Sequence, residues 1–300
     1  MLYIWCIHTS KYMIKDRILI IKRLFEQGLT PTMVADKVGI NRKSIHYYIN
    51  KYKIVVKNKH STYLHKNDYF NLIDTENKAY LLGFFIADGY LSEGSRVCLN
   101  NSIDDIEVLQ LFNREVSPES KITLLNKQAG AKFRKQQAVI RITSKEIYNT
   151  LVNNYGIVQN KTQNSDFKFD FSLIPENLQV HFIRGYFDGD GSVSFYRTNR
   201  TIFFNFSFVF NSLSFSKQFA EIFENKFNIK SVIYNHIGKT ANWHSLRFDY
   251  NRNRSAKIEE IYNYLYKDAT IFLTRKKVKF NNYLEYRAKS IDNTIEQCNA

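Results

Sequence analysis

The sequence predicts an α+β protein built from two copies of one αββαββα unit, with a small all-α domain ahead of them. Three observations predict it. One pattern occurs twice, as AYLLGFFIADGYLS over residues 79–92 and HFIRGYFDGDGSVS over 181–194. Two-residue alternation of apolar and polar side chains begins directly after each copy, as strands require. The first quarter of the chain instead spaces its apolar residues at three and four, with helix caps and a glycine turn.

The N-terminal elements come first. IKDRILIIKRLFEQG (14–28) sets Ile14, Ile18, Ile21, Leu24 and Phe25 on one helical face and ends at Gly28. In residues 29–52, Thr30 caps a second helix with Pro31 at its first position, and Val34, Ala35 and Val38 form its apolar face. Gly39 makes the turn, and Asn41 caps a third helix with Ile45, Tyr48 and Ile49 inward. Residues 1–55 are thus expected to form a helix-turn-helix domain, whose second helix would present Arg42, Lys43, Ser44, His46 and Tyr47 to a DNA major groove. Residues 56–75 mix charge and aromatics without periodicity and are expected to be linker.

The two repeats follow, over 76–165 and 166–288, with a tail over 289–300. In each, an apolar helix leads into two strands, a helix, two more strands and a closing helix. Ser102-Ile103-Asp104-Asp105 has the spacing of a capping box at the start of the middle helix of the first repeat.

Charge narrows the partner. The 300 residues contain 43 Lys+Arg against 28 Asp+Glu, a formal charge of +15, which favours a polyanion. The first 68 residues hold 13 of those bases but only 4 of the acids. Cys6, Cys98 and Cys298 lie far apart, which signals neither a disulfide framework nor a zinc knuckle, and no apolar run reaches bilayer length. The expectation is a soluble, intracellular protein with no membrane partner.

The repeated motif carries the chemistry. Each copy has small residues four apart, Gly83 with Ala87 and Gly185 with Gly189, followed at once by Asp-Gly. Such a step leaves one helix face nearly bare, so two helix backbones can pack closely and bring Asp88 and Asp190 side by side. Two carboxylates about 5 Å apart repel by about 3 kcal/mol at a dielectric near 20, and both stand at the helix end where the macrodipole is already negative. A hard divalent cation held by carboxylates and backbone oxygens would reverse that penalty. An EF-hand loop is excluded, because its sixth position would be Val193 rather than glycine.

The pair LLGFFIADG (81–89) and IRGYFDGDG (183–191), set in a repeat over roughly 70–285 that ends in LTRKKVKF, resembles the single-chain LAGLIDADG homing endonucleases. The resemblance implies duplicated LAGLIDADG halves forming a pseudo-two-fold saddle on double-stranded DNA, as a monomer. It implies that Asp88 and Asp190 bind Mg²⁺ or Mn²⁺, with the backbone oxygens of Ala87 and Gly189 beside them. It implies a basic residue per half near the reacting phosphate, assigned to Lys161 and, from the Arg275-Lys276-Lys277 cluster, to Lys276. Asp188, paired with Ile86 in the first copy, is expected to be structural. Phosphodiester hydrolysis leaving short 3′ overhangs is the implied activity.

Strand alternation supplies the expected binding face. Phe204, Phe206, Phe208 and Phe210 oppose Asn205 and Ser207; Leu246, Phe248 and Tyr250 oppose Ser245, Arg247 and Asp249; Ala138, Ile140 and Ile142 oppose Gln137, Val139 and Arg141. With Arg96, the polar members Gln137, Arg141, Asn205, Ser207, Ser245 and Arg247 are expected to contact DNA. A non-cleaving LAGLIDADG-type regulator and an RNA-binding intron maturase remain open alternatives.

Overall fold

The computed structural model describes residues 14, 16–27, 29–56, 65–125, 136–161, 164–197, 202–239, 241–248 and 255–298. The chain divides into two compact units, Met1–Thr62 and Tyr63–Ala300.

Among the described residues the first unit has three helices, α1 (16–26), α2 (Pro31–Val38) and α3 (Arg42–Lys51). Thr30 Oγ1 accepts from the Met33 N–H at 3.4 Å, and Asn41 Oδ1 from the Ser44 N–H at 2.8 Å. Gly39 adopts φ 70°, the left-handed conformation that a side chain disfavours. Ile21, Phe25, Val34, Ala35, Ile45 and Ile54 make the core. Ile14, expected on the inward face, is exposed. Gly28 lies outside the described residues.

The second unit contains the two repeats. The first runs α4 (Glu76–Asp88), β1 (Gly89–Ser92), β2 (Arg96–Ser102), α5 (Ile106–Val116), β3 (Ile122–Leu125), β4 (Gln137–Thr143) and α6 (Lys145–Asn153). The second runs α7 (Glu176–Asp190), β5 (Gly191–Arg197), β6 (Ile202–Phe210), α8 (Leu213–Phe227), β7 (Ser231–His236), β8 (Trp243–Phe248) and α9 (Ser255–Tyr266), followed by α10 (Thr274–Cys298). Each repeat folds an antiparallel sheet of the same order, β1-β2-β4-β3 and β5-β6-β8-β7. α10 carries the chain through residues 289–298, which were expected as tail.

α4 and α7 pack at the centre. A Cβ placed on Gly83 would lie 2.1 Å from the Phe182 carbonyl oxygen, and one on Gly185 would lie 2.0 Å from that of Tyr80. The helices therefore meet backbone to backbone, and a larger residue at either place has no room. Gly89 and Gly191, which end these helices, are extended rather than left-handed, at φ −74° and −86°. Their lack of a side chain serves space: a Cβ would strike the Phe85 ring at 2.3 Å or the Phe187 ring at 2.1 Å.

Two further expectations change. Tyr69, Phe70 and Ile73, in the expected linker, are buried in the core of the second unit, and Tyr155 donates to the Phe70 carbonyl at 2.7 Å. Their large apolar surfaces outweigh the missing periodicity. The Ser102 hydroxyl does cap a short 3₁₀ turn, accepting from the Asp104 N–H at 3.4 Å. Asp105 does not close the capping box; it pairs with Arg275 instead.

Candidate active site and nucleic-acid face

Asp88 and Asp190 are the last residues of α4 and α7. A Cβ on Gly189 would lie 2.3 Å from Ala87 Cβ and 3.4 Å from Asp88 Oδ2, so the two helix ends abut. Burial raises the pKa of Asp88, while Lys161 and Lys276 oppose that shift. Asp190 is pushed up to about 7, first by burial and then by the charge of Asp88. Asn101 Nδ2 donates to Asp88 Oδ2 at 3.1 Å. Asn101 has the inward parity of Val97 and Leu99 on β2, and a polar side chain at that parity was the signal available in the sequence.

The two lysines stand in matching places. Lys161 Nζ donates to the carbonyl oxygens of Ile86 at 2.8 Å and of Ala87. Lys276 Nζ donates to those of Phe187 at 2.5 Å, Asp188 at 2.7 Å, Gly189 at 3.2 Å and Gly191 at 2.7 Å. Each ammonium group thus caps the C-terminal carbonyls of one motif helix, where positive charge complements the macrodipole. Burial lowers each lysine to about 8, against the pull of the aspartates. Part of the positive charge expected from a metal ion is therefore the protein's own. Arg275 goes to Asp105 and Lys277 lies 3.9 Å from the centroid of the Phe272 ring, so Lys276 is the one member of its cluster that enters the site.

Asp188 is fully buried away from that pair. It accepts from the Tyr80 hydroxyl at 2.9 Å, the Tyr266 hydroxyl at 3.0 Å and the Leu273 N–H at 2.8 Å. Burial raises its pKa, and Lys276 and these donors oppose the shift. Arg184, 1% exposed, donates to the carbonyls of Ile271 and Leu265 and to Glu76 Oε1 at 2.6 Å. A charge inside an apolar helix was its signal in the sequence. A cavity of about 40 Å³, room for two or three waters, lies beside Asp190 and is lined by Ile86, Lys161, Asn164, Tyr186 and Asn211 among others.

The sheet faces turned away from the core differ between halves. In the first, Arg96 and Arg141 are exposed and Gln137 is half-buried on one face, where Val139 is buried. In the second, Arg247 is exposed and Asn205 half-buried. Ser207 and Ser245 are 5% and 3% exposed, and Ser245 pairs with His236 at 2.9 Å. Arg247, Tyr234, Val232, Tyr196 and Phe203 are exposed side chains of this face. Tyr250 and Asp249 lie outside the described residues. In the N-terminal unit Arg42, Lys43, His46 and Tyr47 are exposed along α3, whereas Ser44 is held by Asn41 through both its N–H and its hydroxyl.

Among the described residues no cluster of three or more His, Cys, Asp or Glu gathers to hold a metal, and no helix is long and apolar enough to cross a membrane. No curated protein matches the sequence. Solved structures with a similar chain path include I-DmoI in complex with DNA and Mn, at 16% identity and TM-score 0.40, covering 65% of this chain and 98% of that one. I-WcaI bound to its DNA recognition sequence gives 14% identity and TM-score 0.43 over 76% and 94% of the two chains. The I-LtrWI LAGLIDADG homing endonuclease bound to target DNA gives 10% and 0.44 over 75% and 92%. Residues 177–263, which begin in α7 and end in α9, match the LAGLIDADG-like domain family.

Proposed function

We propose that the protein is a site-specific double-strand DNA endonuclease that hydrolyses phosphodiesters with a divalent cation, Mg²⁺ or Mn²⁺. What carries this reading is the meeting of two motif helices at Asp88 and Asp190, each with its own lysine at the helix end. The donor set suits a hard cation: two adjacent carboxyl groups, with the charge of Asp88 raising the pKa of Asp190, a repulsion that a divalent cation would offset, and carbonyl oxygens alongside. Asp88 and Asp190, with the backbone oxygens of Ala87 and Gly189, would hold it. Such a cation supplies a water of lowered pKa and offsets charge on the reacting phosphate.

The chain's own groups do the rest. Lys161 and Lys276 keep fixed positive charge where negative charge accumulates on the phosphate. The cavity beside Asp190 has room for the attacking water. One acid and one lysine come from each half, so a single chain can address both strands of a duplex. Arg96, Gln137 and Arg141 on one sheet face, and Asn205 and Arg247 on the other, would lie along the grooves. Arg42, Lys43, His46 and Tyr47 on α3 would act as a helix-turn-helix and lengthen the footprint.

One observation favours a DNA binder that does not cut. The Ala87 and Gly189 carbonyls already accept from lysine. Incubating the protein with Mg²⁺ or Mn²⁺ and a randomised duplex library separates the two readings. Double-strand products with short 3′ overhangs, abolished by Asp190→Asn, are expected. Tight, salt-sensitive binding with every duplex left intact would establish the binder instead.

A further inference from the structure

Lys276 is reached through residues 270–275, which form no regular element until α10 begins at Thr274. Four carboxylates on separate elements hold this segment. Glu76, at the start of α4, accepts from the Thr270 N–H and hydroxyl, both at 2.9 Å. Asp188 on α7 accepts from the Leu273 N–H. Glu107, in the first turn of α5, accepts from the Thr274 N–H at 2.9 Å and its hydroxyl at 3.1 Å, and so caps α10 from another helix. Asp105 takes the Arg275 guanidinium as a fork, at 2.6 and 2.8 Å.

Three of the four belong to the first half of the molecule. Lys161 has a local approach instead, tied by Ile157 to Leu151, Gly156 to Val152 and Gln159 to Tyr148, all within its own half. Burial does not explain Glu107, because it and Thr274 are exposed and water could satisfy that helix end, whereas Asp105 is itself buried. What the two acids of α5 and its leading turn do fix is the direction of the first turn of α10, and hence the reach of Lys276 into the α7 carbonyls.

We propose that Asp105 and Glu107 are positioning residues for Lys276, so that the first half of the molecule sets the lysine serving the motif of the second half. The consequence for cleavage rests on the endonuclease reading above; the geometric claim does not.

Two measurements test it on the full chain with Asp105→Asn, Glu107→Gln and both together. Glu107→Gln alters an exposed side chain, which guards against a folding failure of the buried Asp105 variant. Reductive methylation of the free protein, read by mass spectrometry, should modify Lys276 at least about fivefold faster in the double variant while Lys161 stays as protected as before. Unchanged protection of Lys276, or equal exposure of both lysines, would overturn the proposal. On a duplex recovered from the randomised library and labelled on both strands, the ratio of the two strand-cleavage rates should shift by about tenfold, and adding the double variant to Lys276→Met should cost nothing more. Both strands slowing in proportion, or losses that multiply with Lys276→Met, would also overturn it. A wild-type chain that cuts no strand refutes the endonuclease reading and leaves the methylation result to judge the clamp.

Discussion

The two motif helices occupy equivalent places yet are buried by different means. α4 is apolar from Ala79 to Ala87, and Ile86 packs at the position where α7 has Asp188. α7 buries Arg184 and Asp188, each satisfied by several partners. The residues the two share include those that the helix crossing demands: glycine at the backbone contact, a small residue one turn later, and a terminal aspartate. Two that differ, Arg184 and Asp188, hold the strap over 270–275 through the Ile271 carbonyl and the Leu273 N–H. Shared geometry preserves the site, and private packing is free to diverge around it.

Substitutions can break this comparison. The largest effect should come from the shared acids: Asp88→Asn and Asp190→Asn should each slow cleavage by about a thousandfold in single-turnover assays. If one of them left both strands cut at the normal rate, the two halves would not be equivalent in chemistry. Next come the private residues. Asp188→Leu strands three buried donors and should cost about 4 kcal/mol in urea denaturation, whereas Ile86→Val at the matching place should cost about 1 kcal/mol.

The shared glycines should respond alike. Gly83→Ala and Gly185→Ala each force a carbonyl contact and should each destabilise by about 3 kcal/mol, with the same denaturation assay exposing any inequality. A pH dependence follows from Asp190, whose carboxyl is pushed to about 7 from 3.8. The folded protein holds a proton that the unfolded chain has released, so this stability is complete below about pH 4 and lost as pH rises through about 7. In chelator, the urea midpoint should fall between about pH 4 and 7, and Asp190→Asn should flatten that fall. Smallest are the sheet faces: Arg141→Ala and Arg247→Ala should each reduce the salt slope of DNA binding by about 1. Arg247 also lies over the Tyr234 ring at 5.1 Å, so its loss should weaken binding beyond the charge effect.

Much of this site is legible in residue spacing. A four-residue step of small side chains ending in aspartate announces a close helix crossing, because few other arrangements need a bare face beside a buried charge. The partners of Lys161 and Lys276 were not legible, since a lysine stem reaches many acceptors and nothing local selects among them. Asp105 misled for a related reason: its spacing from Ser102 suits a capping box, but a guanidinium fork from a residue 170 positions away satisfies this buried carboxylate better. The burial of Tyr69, Phe70 and Ile73 was hidden because a segment without periodicity can still be pinned by its aromatic rings.

By itself the sequence determined the repeat, the order of helices and strands in each half, the helix caps at Thr30 and Asn41, and the crossing that joins Asp88 to Asp190. These depend on periodicity, capping groups and side-chain size, which act over a few residues and are written in adjacent letters. Tertiary structure alone decided that lysines cap the motif helices, that Asp188 latches three elements, and that acids of one half hold the strap of the other. Those outcomes depend on which charges meet once water is excluded, and charges pair through space without regard to their separation along the chain.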